Sequence, residues 1–185
     1  LIANSDYQFD AELETELTDP RDGRIYKITH IKDQVWMAEN LNYGLRVDGV
    51  LDQADNQIVE KYCYDDDELF CNTYGGLYQW NEALQYNPSN NQGICPDGWH
   101  IPSDDDWKIL EGTIDSLYGL GDIIWDERGW RGINAGGNLK EKGTIHWLNP
   151  NTGATNKCGF TALSGGTRTL IGDFTYLGYY GDFWS

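Results

Sequence analysis

The chain has 185 residues, enough for one domain with a real core, and 13 Lys+Arg against 30 Asp+Glu give 13 − 30 = −17. That charge repels phosphate backbones and anionic lipid headgroups, which argues against nucleic acid as a partner. Aromatics at 14%, with 8 Trp and 12 Tyr, argue against a disordered acidic chain, and 22 Gly against 5 Pro describe a turn-rich body rather than a helical bundle.

In chain order, residues 1–19 read as an arm. Leu1 to Phe9 is mixed, and Asp10 to Asp19 carries acids and no basic residue, so the segment is either a linker or an edge strand laid on the domain. The domain proper is expected over 20–185. Asp22-Gly23 opens a hairpin whose strands are Arg24 to Ile31 and Val35 to Ala38, turning at Lys32-Asp33-Gln34. Residues 44–60 lack periodicity and read as a surface insertion. After Gly75-Gly76, a short helix is predicted over about Leu77 to Tyr86, with Leu77, Trp80 and Leu84 on one face. A second helix starts at the N-cap Ser103, with Asp104, Asp105 and Asp106 in its first turn and Asp106 in the capping-box position. Trp107, Leu110, Ile114 and Leu117 form its apolar stripe, and Gly119 is expected to stop it. Beyond it, loops and short strands alternate, with a short helix near Gly137 to Lys142. The expected class is α+β.

Four cysteines (Cys63, Cys71, Cys95, Cys158) contain no CxxC pair, and His30, His100 and His146 are scattered, which argues against a zinc site. An even count in an acidic, turn-rich chain favours disulfides in an oxidising compartment, paired Cys63–Cys71 and Cys95–Cys158. No apolar run reaches the roughly 18 residues a membrane span needs. The chain opens at Leu1 without an initiator Met, which suggests a processed or trimmed N-terminus from which an export signal could have been removed.

Several blocks resemble the Fibrobacter succinogenes major paralogous domain. They are Asp22-Gly23-Arg24-Ile25-Tyr26-Lys27, the run Val35 to Tyr43, Tyr62-Cys63-Tyr64, and the run Tyr74 to Trp80. Then come the run Gly93 to Ser103 with Trp107, the run Gly159 to Gly166, and Gly181 to Ser185. The resemblance implies a C-type-lectin-like fold near that of the formylglycine-generating enzyme: two main helices packed on a small, twisted, mostly antiparallel sheet with long irregular loops. It implies a secreted or surface-anchored domain, and a chain that continues past Ser185 to a further cysteine with which Cys95 could pair instead of Cys158. The paired active-site cysteines of the neighbouring enzyme have no matching positions here.

No GxSxG, HExxH, P-loop or GxGxxG motif is present, so no enzyme is expected. His100, between Trp99 and Pro102, reads as a packing or hydrogen-bonding residue. Asp65-Asp66-Asp67-Glu68 and Asp104-Asp105-Asp106 lack EF-hand spacing and read as a solvated loop and a helix cap; calcium held elsewhere by loop carbonyls, Asn and Asp is the open alternative. Trp125, Trp130, Trp147, Tyr176, Tyr179 and Tyr180, among Gly, Asn and Asp, are the candidate ligand-binding residues, since flat rings beside amides and carboxylates suit sugars; the alternative is that the same rings fill a small core between loops, and for a single Trp the core reading is favoured. The expected role is a non-catalytic binding or adhesion module at a bacterial surface, taking polysaccharide or a surface protein. The alternative is a structural subunit that self-associates into an extracellular assembly or filament by strand or arm exchange.

Overall fold

The computed structural model describes residues 1–5 and 14–185, so the middle of the acidic arm, residues 6–13, lies outside the described residues. In chain order the strands are β1 (Ile2–Ala3), β2 (Glu16–Thr18), β3 (Ile25–Ile31), β4 (Gln34–Met37), β5 (Leu45–Arg46), β6 (Glu60–Lys61), β7 (Trp99–His100), β8 (Thr167–Arg168) and β9 (Phe174–Thr175). The α-helices are α1 (Glu68–Tyr74), α2 (Trp80–Ala83), α3 (Asp104–Ile114) and α4 (Ala135–Leu139). The class is α+β.

The β3–β4 hairpin follows from local chemistry. Tyr26 and Ile28 alternate inward with exposed Ile25 and Lys27, and Lys32 takes the left-handed conformation (φ 58°) that a tight turn requires. Ile28 faces Met37 and Thr29 faces Trp36, which fixes the register. The main sheet has the order β2-β3-β4-β1-β7, antiparallel throughout. The arm therefore contributes twice: β2 is an edge strand, and β1 is seated inside the sheet between β4 and β7. Ile2 pairs with Trp36 on one side and His100 on the other, while the Asn4 N–H donates to the Gly98 carbonyl at 2.7 Å. The segment 44–60 is less free than an insertion would be, because β5 pairs in parallel with β6 and Glu60 and Lys61 are buried.

Each face of the sheet carries a core cluster. Tyr26, Ile28, Met37, Ile94, Cys95 and Trp99 pack on one side. Ile2, Ile31, Trp36, Leu110, Ile114, Trp125 and Phe160 pack on the other, with Cys158 at the margin. This arrangement corrects one cysteine pair. Cys63–Cys71 is a disulfide, but Cys95 and Cys158 are free thiols, because the sheet lies between them.

Helix α3 carries the expected capping box. Ser103 Oγ accepts from the Asp106 N–H, and the Asp106 carboxylate accepts from the Ser103 N–H at 2.9 Å. Its end differs from the expected stop at Gly119. The helix stops at Ile114, five residues before Gly119, because the Asp115 carboxylate draws the chain into a new turn. Oδ1 accepts from the N–H groups of Leu117 and Tyr118, and Oδ2 from those of Ile133, Asn134 and Ala135, at 2.9 to 3.1 Å. Leu117 is consequently exposed and leaves the stripe that Leu110 and Ile114 bury. Helix α2 is also shorter than the periodicity suggests. Leu77 bridges to Tyr62, and Gln53 and Gln79 each accept the other's backbone N–H through their side-chain oxygens, at 2.6 and 2.9 Å. The residues before Trp80 are thus committed to the 53–62 segment.

Candidate functional site: a polar groove beside the disulfide

The Cys63–Cys71 bridge closes an eight-residue separation around the acidic run. The acids inside it have structural work. Asp66 accepts the Gly49 N–H at 2.7 Å, Asp67 caps α1 through the Leu69 N–H, and Glu68 pairs with buried Lys61 at 3.4 Å. At the far end of α1 the chain passes Asn40 so closely that only glycine fits. Gly75 has φ +81°, and a Cβ there would lie 2.4 Å from the Asn40 Cβ.

This close passage forms one wall of a groove of about 550 Å³. Its lining comes from four stretches of chain: Arg24 to Lys27 at the start of β3, Ala38 to Asn40 and Asn42 after β4, Cys71 to Thr73 and Gly75, and Glu141, His146 and Thr161 from the loop-rich half. His146 Nδ1 stands 2.9 Å from both Glu141 carboxylate oxygens. A carboxylate only accepts, so Nδ1 carries the proton and Nε2 is the nitrogen left for a ligand. Tyr74 meets the imidazole edge-on at 5.5 Å, and Ser164 Oγ donates to the His146 carbonyl, so the ring is braced. Burial pushes the Tyr74 hydroxyl above its ordinary value, and the nearby Glu141 charge adds to this.

The remaining groove polar groups are loosely committed. Asn72 Oδ1 lies 3.5 Å from both Arg24 Nη1 and Asn42 Nδ2, the outer limit for a hydrogen bond. Lys27 makes no ion pair among the described residues, while Arg24 pairs with exposed-side Asp22 at 3.3 Å. Donors and acceptors of both kinds therefore face a concave space without saturating one another.

The predicted aromatic residues fall into two groups. Trp125 and Trp147 are core: Trp125 Nε1 donates to the Gly119 carbonyl and Trp147 Nε1 to that of Ala162, and both rings are buried. Their faces are unavailable to a ligand, which corrects that part of the expectation. Trp130 is 96% exposed on the loop before α4, and Tyr176, Tyr179 and Tyr180 are exposed after β9, with Tyr176 and Tyr180 in edge contact at 5.2 Å. Backbone bonds link this tyrosine turn to the groove wall. The Gly178 N–H donates to the Ser164 carbonyl at 3.2 Å and the Leu148 N–H to the Gly178 carbonyl at 2.9 Å, on either side of His146 and Trp147.

Other candidate chemistry has a structural explanation. His100 bonds Asn4 Oδ1 at 2.7 Å and approaches Asp106 at 3.4 Å, a bracing role for β1 and α3. Asp104 is held by Lys108 and Arg131. Among the described residues, no three His, Cys, Asp or Glu side chains group to hold a metal ion. Burial pushes the Cys95 thiol up to about 12 and that of Cys158 above its ordinary value, so neither is a ready thiolate. Among the described residues no helix is long and apolar enough to cross a membrane.

The model of the Fibrobacter succinogenes major domain matches residues 29–185, which includes most of the groove and all of the tyrosine turn. The chain belongs to this family. No curated protein and no solved structure matches the chain. Within this major domain the His146–Glu141 pair was missed by sequence reasoning, which treated the three histidines as scattered. The available signal was a lone His five residues after a Glu in a stretch otherwise rich in Gly and Asn.

Proposed function

We propose that the chain is a non-catalytic binding module of lectin-like fold, working outside the cell or on the bacterial surface, and that its groove takes carbohydrate. The observation that carries this reading is the loosely committed polar wall: Asn72 Oδ1 at 3.5 Å from two donors, beside His146 whose Nε2 is left by the Glu141 bond. Sugar hydroxyls both donate and accept, and they can insert where protein groups do not saturate each other. The linked tyrosine turn supplies flat apolar faces for a longer chain. The disulfide and the acidic surface support an oxidising, extracellular setting. A glycan array tests the reading. Wild type is expected to bind a subset of glycans, and His146→Ala and Asn72→Ala to weaken that binding at least about tenfold with circular dichroism unchanged. Binding that survives both substitutions contradicts it.

A second reading is a structural subunit of a surface filament, favoured by the seating of β1. An arm strand held between β4 and β7 by backbone bonds is the kind of element a neighbouring copy can supply. Intact protein is then expected to assemble in size-exclusion chromatography and a chain lacking residues 1–19 to remain monomeric. Intact protein that stays monomeric at every concentration, or arm-less protein that assembles, contradicts it.

A further inference from the structure

Away from the groove, loop 54–59 and the end of α2 enclose a cavity of about 220 Å³, lined in part by Asp55, Gln57, Glu82, Gln85 and Tyr86. Glu82 is 2% exposed. Its Oε1 accepts the Glu60 N–H at 2.8 Å, and its Oε2 is buried without a hydrogen-bond partner. A buried carboxylate oxygen in that condition is costly unless something satisfies it.

The neighbours indicate what does so. The Tyr86 hydroxyl interacts with the Glu82 side chain, yet its own proton is committed to the Gln53 carbonyl at 2.7 Å. A hydroxyl whose hydrogen is used elsewhere presents only lone pairs, and these repel a carboxylate. Glu60 and Asp55 are the other charges that act on Glu82, and both are acids. The Glu60 carboxylate is already occupied by the Ala54 N–H at 2.8 Å and Asn56 Nδ2 at 2.9 Å. Burial and the acids Glu60 and Asp55 favour a neutral acid and together outweigh the Glu60 N–H on Oε1, which favours the charged form.

We infer that Glu82 is a protonated carboxylic acid whose Oε2–H donates to the Tyr86 hydroxyl, making a proton-dependent clamp on loop 54–59. The clamp runs from Glu82 through Tyr86 to the Gln53 carbonyl, and the Gln53 side chain continues it to the Glu60 and Leu77 carbonyls at 3.0 and 3.3 Å. Gln85 and Tyr86 hold successive positive φ values of 50° and 55°, a left-handed pair of non-glycine residues of the kind found at switch regions. Burial, reinforced by Glu60, raises the proton affinity of Glu82 above that of an ordinary glutamate. The sign follows. The stabilisation is complete below the unfolded value, about 4.3, and is lost as pH rises through the raised folded value. Ionised Glu82 then loses its donor bond to Tyr86 and is repelled by Glu60 and Asp55, and the loop opens.

Local amide exchange tests this, because 30 carboxylates make any global pH profile ambiguous. Protection of residues 54–60, corrected for intrinsic exchange, is expected to fall at least about tenfold between pH 5 and pH 8 in wild type. In Glu82→Gln, whose amide donates to Tyr86 at every pH, protection is expected to stay high and flat. Asp55→Asn, on the exposed loop, is expected to move the transition to lower pH and make the fall smaller, because one of the charges that raise the proton affinity of Glu82 is gone. Unchanged protection across this range in wild type, or the same fall in Glu82→Gln, overturns the inference. So does a restoration of wild-type protection at pH 8 by calcium chloride alone that Glu82→Gln lacks, since Oε2 would then be a cation ligand.

Discussion

Asp115 is the side chain on which the loop-rich half most depends. Burial would raise its proton affinity, but the N–H groups of Asn134, Leu117, Ile133 and Tyr118 outweigh this and hold the carboxyl well below the usual range. Its folded value is depressed, so its contribution is present above the unfolded value of about 3.9 and is lost as pH falls through the folded value. Asp115→Ala leaves several backbone donors unsatisfied at once, and is expected to cost about 3 kcal/mol in urea denaturation at pH 7. That difference should shrink below about pH 3. Nothing in the local pattern around Asp115 announces this role, because its partners at 133–135 lie about one loop away. The Ser103 cap was legible for the opposite reason: both partners sit within three residues.

Among elements, the legible ones are those whose determinants are contiguous. The β3–β4 hairpin follows from alternation and a two-residue turn, and the start of α3 from its capping box. Helix ends are weaker signals, since a competing side chain can take the chain elsewhere, as Asp115 does. Two substitutions separate the observed α3 from a helix reaching Gly119. Leu110→Ala, at a fully buried position, is expected to cost about 3 kcal/mol. Leu117→Ala, exposed beyond the helix end, should change stability by less than about 0.5 kcal/mol. Thermal or urea denaturation of the two variants is sufficient, and a large Leu117 effect would mean that the stripe extends further. The position of β1 had no local signal at all: Ile2–Ala3 is two residues long, and only the gap between β4 and β7 defines it. The same long-range geometry undid the expected Cys95–Cys158 pair, while Cys63–Cys71 needed only a short loop.

At the scale of the whole molecule, the groove is a product of topology. Residues 24–27, 38–42, 71–75 and 141–161 meet only because the sheet, the disulfide loop and the loop-rich half close on one another. In the second half Trp130, Tyr176, Tyr179 and Tyr180 lie on the surface while Trp125 and Trp147 are core, and a ring in a Gly-rich stretch carries no periodicity that would tell the two apart. The net charge of −17 makes the locally mixed groove, with Lys27, Arg24 and His146 beside Glu39 and Glu141, distinct from its surroundings. The most direct measurement uses the three histidines as internal reporters. Imidazole chemical shifts of His30, His100 and His146 are followed while a glycan that binds on the array is titrated into the full chain. The account predicts a saturable shift of His146 with His30 and His100 unmoved; a bound glycan that leaves His146 unchanged would contradict it.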